Sequence, residues 1–156
     1  MANITSHIAR HLRELYVGRN WTWVDLKGSI EGLTWQQAIT SVHGLNSIAL
    51  LIFHMNFYVE AQISVLKGGL LLSKDKDAFK LPPITSDADW QVLQSKTYAD
   101  AEELASLIEQ MPEEKLWDTF VDERYGTYYR NLHGNIEHLH YHLGQIVLIR
   151  KILQQG

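Results

Sequence analysis

The sequence predicts an all-α protein, a four-helix bundle with a long crossover connection. Three observations predict it. Apolar residues recur at intervals of three and four along four separate stretches, nothing in the chain requires a sheet, and one long irregular segment falls between the second and third stretches. At 156 residues the chain fits one domain, residues 1–156, and is long enough to bury a core. It carries no internal repeat, low-complexity tract or linker that would divide it.

The first helix is expected over residues 3–27. Ile4, Ile8, Leu12, Leu15, Trp23 and Leu26 form its apolar stripe, and Gly28 and Gly32 punctuate its end. Thr34 then caps a short helical turn over residues 35–41. Asn46 or Ser47 caps the second long helix, which runs to about Leu66. Its opening, residues 48–53, is apolar nearly all round and should be buried. Gly68 and Gly69 stop it, and residues 69–96 read as irregular, a length that points to a functional connection. Thr97 and Asp100 resemble a capping box for a third helix, which ends before Pro112 with Leu104, Leu107, Ile108 and Met111 facing inward. A turn over residues 113–126 follows, and residues 117–121 within it have strand character but no clear partner. Thr127 or Asn131 opens the last helix, which continues to about Gln154.

Composition narrows the function classes. A net charge of −4, with no basic cluster, argues against a nucleic-acid partner, because phosphate contacts need Lys and Arg gathered on one face. The longest apolar run, residues 47–53, falls well short of the roughly 20 residues a bilayer span takes. The first residues show no signal pattern, so the expected compartment is the cytoplasm. Cysteine is absent, which removes disulfides, thiolate metal ligands and thiol nucleophiles. What remains for chemistry is a set of eight histidines.

On the last helix His138 and His142 stand four residues apart, one turn apart on one face. Asn135, Gln145, Ile146, Ile149 and Leu153 lie within about 80° of His138 on the helical wheel. The pair therefore borders the core-facing stripe, in the geometry that lets two imidazoles ligate one ion. His140 points the opposite way and reads as a surface or interface residue, and His133 is out of register with the pair. His54 follows the apolar opening of the second helix, among Leu50, Leu51, Phe57 and Tyr58, so its ring should face inward and need a partner. His7 and His11 repeat the same spacing on the first helix. Spacing alone does not choose between the two pairs, and an interior histidine is often only a hydrogen-bonded core residue.

The run from His138 through His142 to Gly144-Gln145-Ile146, with Leu148 and Arg150 beyond, resembles the C-terminal signature of the DinB-like superfamily: His, three residues, His, one residue, Gly-Gln. The block Asn46-Ser47-Ile48-Ala49 leading to His54-Met55 looks like that family's second marker. Helix order and the long middle connection extend the resemblance over nearly the whole chain. It implies a four-helix bundle, often dimeric, in which three histidines bind a divalent ion, commonly nickel, zinc or iron, with positions left for water or substrate. Carried over residue by residue, it reaches His54, His138 and His142 and does not reach His7 or His11.

Three imidazoles with open positions form a catalytic rather than a structural arrangement. The expectation is a metal-dependent enzyme acting on a small molecule. The resemblance implies a transferase that uses a low-molecular-weight thiol, or a hydrolase. With no cysteine in the chain, the thiol would come from a cofactor. Gln145, one turn beyond His142, is the candidate catalytic residue, placed to orient a water or ligand, with helix packing at Gly144-Gln145 as its bland alternative. Glu137 reads as a solvated carboxylate. Arg124, Tyr128, Tyr129 and Arg130 are candidates for binding an acidic substrate. The competing expectation is a non-catalytic metal-binding stress-response or interaction protein, which a fourth protein ligand would favour. Five Trp and seven Tyr exceed what one small interior needs and point to a homodimer.

Overall fold

A computed structural model describes residues 3–71 and 74–155. Among them are six α-helices and no strand: α1 (Ile4–Tyr16), α2 (Leu26–Ile30), α3 (Trp35–Ile39), α4 (Ile48–Leu66), α5 (Asp87–Gln110) and α6 (Tyr128–Gln155). The all-α class expected from the sequence is what the chain adopts.

Burial explains which helices matter. Helix α4 is apolar on most of its surface and long enough, by composition, to cross a membrane. It lies instead largely inside the protein, with Ile48, Leu51, Ile52, Met55 and Val59 almost fully covered. Helices α1 and α4 each pack against both α5 and α6. Leu12 and Leu15 of α1, Leu104 and Ile108 of α5, and Leu132, Leu139 and Ile146 of α6 join the α4 residues in one core. A smaller cluster of Val65, Phe120 and Tyr128 closes the far end of α4.

Local chemistry sets the boundaries. Ser47 caps α4, its hydroxyl accepting from the Leu50 amide at 3.3 Å. Gly68, at φ +81°, ends it in the left-handed region that glycine enters without strain. Thr34 and Gln37 form a reciprocal capping box on α3. Thr127 opens α6, accepting from the Arg130 amide at 3.2 Å, while Asn131 within the first turn donates to the Tyr125 carbonyl.

Two expected helices have different limits. The first ends at Tyr16, not Lys27. The buried Asn20 side chain donates to the Glu14 carbonyl at 3.0 Å and to the Val24 carbonyl at 2.7 Å, folding the chain into a loop where a helix was expected. Asp25 then caps the separate short helix α2, on which Leu26 is buried, whereas Trp23 projects into solvent. The third helix starts ten residues early, at Asp87, capped by Ser86. Asp89 completes the cap by accepting from the Thr85 amide at 2.9 Å. Thr97 is a buried mid-helix residue whose hydroxyl donates to the Leu93 carbonyl, and Asp100 holds Asn56 of α4 at 2.7 Å. The stretch 117–121 makes a single antiparallel bridge, Thr119 to Thr127, and no strand.

Candidate metal centre

Residue 54 lies on the second turn of α4, and residues 138 and 142 at mid-length on α6, where the two helices pack together. Their rings meet. The Nε2 atom of His138 is 3.1 Å from Nε2 of His54 and 2.9 Å from Nε2 of His142. One ring nitrogen from each histidine lies within 4.8 Å of the other two. His54 and His142 are buried, at 5% and 8% exposure, and His138 is half-buried. The expected triad is therefore brought together. No further His, Asp or Glu joins it among the described residues.

Hydrogen bonding alone satisfies this cluster poorly. A ring nitrogen is either an N–H donor or a lone pair, so Nε2 of His138 cannot form two linear bonds of opposite sense with its two neighbours. With the Gln145 amide oxygen set against it, Nδ1 of His142 carries the proton and donates at 2.6 Å, which leaves Nε2 as a lone pair facing the cluster. A cation accepts three lone pairs at once. Two nitrogens each about 2.1 Å from a shared ion stand about 3.0 Å apart at a right angle and about 3.4 Å apart at the tetrahedral angle. The two separations from His138, 3.1 and 2.9 Å, are close to the first case. The donor set is thus suited to hold a divalent ion.

Electrostatics favour the ligating form. Burial, reinforced by His142 and His54, pushes the His138 pKa down to about 4. Burial and His142 likewise lower that of His54, against smaller opposing effects of the Ala78 backbone and Asp75. Nδ1 of His54 nonetheless has no well-formed hydrogen bond among the described residues, so the Ala78 backbone is a nearby dipole rather than a strict partner. Neutral imidazoles are the forms that bind metals.

Aromatic rings wall the cluster. Phe79, from the connection between α4 and α5, stacks on His54 at 4.2 Å between centroids. Tyr58 lies edge-on to both His54 and His138, and its hydroxyl donates to Asp75 at 3.0 Å. Beside His138 opens a cavity of about 720 Å³, walled on the α6 side by Arg130, Asn131, Gly134 and Asn135 and opposite by Tyr58, Gln62, Lys74 and Asp75. Gln62 donates to the Asn131 carbonyl at 2.8 Å and accepts from Asn135 at 3.0 Å.

The remaining sequence candidates sort cleanly. Gln145 faces His142, so the contact it makes orients a ring. Gly144 has no heavy atom within 4 Å of where a Cβ would stand, so close helix packing does not explain it. His7 is exposed. His11 and His140 face each other across α1 and α6, with ring centroids 5.5 Å apart, so His140 is less open than expected. Burial and the neighbouring His11 lower the His140 pKa. His133 stacks on Tyr129 and stands 3.7 Å from the exposed Glu137. Of the four candidates for an acidic substrate, Arg130 alone borders the large cavity. Arg124 lies over the Tyr125 ring, Tyr128 is buried, and Tyr129 stacks between Trp117 and His133. Phe79, Tyr58 and Asp75 were not singled out from the sequence as parts of the site. The length of the connection that carries Phe79 and Asp75 was their only signal.

Compared with protein-family models, curated proteins and solved structures, the chain matches none.

Proposed function

We propose that this chain is a DinB-like four-helix bundle in which α1, α4, α5 and α6 are the four helices and segment 67–86 is the long crossover. In this reading it is a metal-dependent enzyme acting on a small molecule. The observation that carries the proposal is the convergence of His54, His138 and His142 at the edge of a cavity large enough for a substrate. Three histidine donors, with no fourth protein ligand among the described residues, suit a catalytic site better than a closed structural one.

The ion would be nickel, zinc or iron, and it would supply Lewis acidity, favouring deprotonation of a water or a thiol near neutral pH. Gln145 fixes the tautomer and direction of His142 through Nδ1, making it a positioning residue. Phe79 and Tyr58 screen the histidines from bulk water. The chemistry this supports is transfer to or from a low-molecular-weight thiol, or hydrolysis. The chain has no cysteine, so the thiol would be a separate cofactor, which the cytoplasm supplies.

We further propose a homodimer, because Trp21 and Trp23 are 95% and 76% exposed, more than a lone chain would be expected to leave in water. Sedimentation at micromolar concentration should give twice the chain mass, and a monomer overturns this part.

The central test is metal analysis of protein purified without a histidine tag. One ion per chain is expected, lost when His138 is replaced by Ala. The loaded protein is then screened with small thiols plus electrophiles, and with esters and amides. Protein that takes up no ion overturns the reading; protein that binds an ion but turns over nothing in either screen overturns its catalytic part.

A further inference from the structure

We propose that the cavity beside the three-histidine centre binds an elongated small molecule whose far end is an oxyanion, a carboxylate or a phosphate, held by Arg130. The inference rests on the metal-site reading for the molecule's near end and on separate observations for its far end.

Arg130, Gly134 and His138 are spaced four apart along one side of α6 and all border the cavity. The helix thus lays a guanidinium and the His138 ligand about 12 Å apart along its axis. Between them stands a glycine. In a helix interior glycine is unfavourable, and the usual reason to tolerate it, a neighbour pressed close, is missing: a Cβ at Gly134 would meet nothing within 4 Å. What Gly134 does is keep the cavity floor clear between its two ends.

The far end carries positive charge. Arg130 and Lys74 both border the cavity, and neither has an ion-pair partner among the described residues. The cavity's carboxylate, Asp75, is engaged by the Tyr58 hydroxyl. Asn135 lies one helical turn before His138. Because Gln62 must donate to a backbone carbonyl, Asn135 donates to Gln62 and keeps an acceptor oxygen without a partner. The unpaired guanidinium at the far end attracts a negative group there, bidentately and directionally.

The test is isothermal titration of the metal-loaded protein with hexanoate, hexyl phosphate and uncharged hexanamide at one ionic strength. The two anions should bind at least about tenfold more tightly than hexanamide. Which of them binds better identifies the oxyanion. In Arg130→Gln that preference should fall to near unity while the metal content stays at one per chain. Gly134→Leu should weaken all three probes, and Gly134→Ala should raise the melting temperature while weakening them less. Equal binding of hexanamide and the anions, or an undiminished preference in Arg130→Gln, overturns the proposal. Protein that takes up no metal yet shows an Arg130-dependent preference for anions supports this pocket and overturns the metal reading alone.

Discussion

The bond from Nδ1 of His142 to Gln145 has an effect larger than its own strength, because it decides which nitrogen is free to ligate. Gln145→Leu removes the acceptor and leaves the ring free to turn or change tautomer. Metal affinity should fall by about 10- to 100-fold, read by competition with a chromogenic chelator, while the fold persists. The pKa of His138, pushed down to about 4 in the folded protein, makes a second prediction at this scale. Between the unfolded value and that lowered one, the unfolded chain binds more protons than the folded chain. Stability of the metal-free protein is therefore full above the ordinary histidine range and falls as pH drops through it, the lowered His54 acting in the same sense. Thermal melts of chelated protein from about pH 7 to about pH 4.5 should show a declining midpoint, and His138→Leu should flatten the decline. His138 and His142 were legible in the sequence through their spacing. His54 was legible as an inward-facing ring in need of a partner, and a metal shared with the last helix was one partner among several that spacing allowed. Phe79 and Asp75 were not legible, because their contacts join segments far apart in the chain.

Helices were legible where the apolar pattern and the capping chemistry agreed. A fully apolar turn follows the two adjacent cap candidates of α4, Asn46 and Ser47, and Ser47 is the one used. The apolar stripe of the first helix continues through Trp23 and Leu26 although the helix ends at Tyr16, because periodicity does not register a buried asparagine that collects two carbonyls in a loop. Ser86 and Asp89 carry the cap signature that the third helix uses. Thr97 and Asp100 offered a similar one, and only packing reveals that Thr97 is interior. Ser86→Ala should therefore cost about 1 kcal/mol in denaturant melts, and a Thr97 substitution should not act through capping. Arg150 makes a further prediction. From α6 it donates to the Gly28 carbonyl at 2.6 Å and the Glu31 carbonyl at 2.8 Å, satisfying the open C-terminal end of α2. Arg150→Ala should destabilise by about 1 to 2 kcal/mol and speed amide exchange in α2 before any other helix.

Taken whole, the protein was legible as all-α, since the hydrophobic periodicity fixes helices rather than strands and absent cysteines leave burial as the source of cohesion. Its core draws on helices from both ends of the chain, so truncating a central side chain should be felt throughout. Leu139→Ala, at a fully buried position next to His138, should cost about 2 to 5 kcal/mol and lower the melting temperature of loaded and metal-free protein alike. Removing an ion should act differently, lowering stability by an amount that grows with the free-metal concentration it is compared against.

Two of the three histidine donors sit on one rigid turn of α6, while the third arrives from a helix 84 residues away in sequence and has Phe79 laid across it. An ion bound there would have to leave its ligands one side at a time, and Phe79 covers the His54 side. Metal exchange is then expected to depend on that aromatic cover as well as on global unfolding. Phe79→Ala should hasten metal exchange while leaving the donor atoms, and the melting curve of the metal-free chain, nearly as they were.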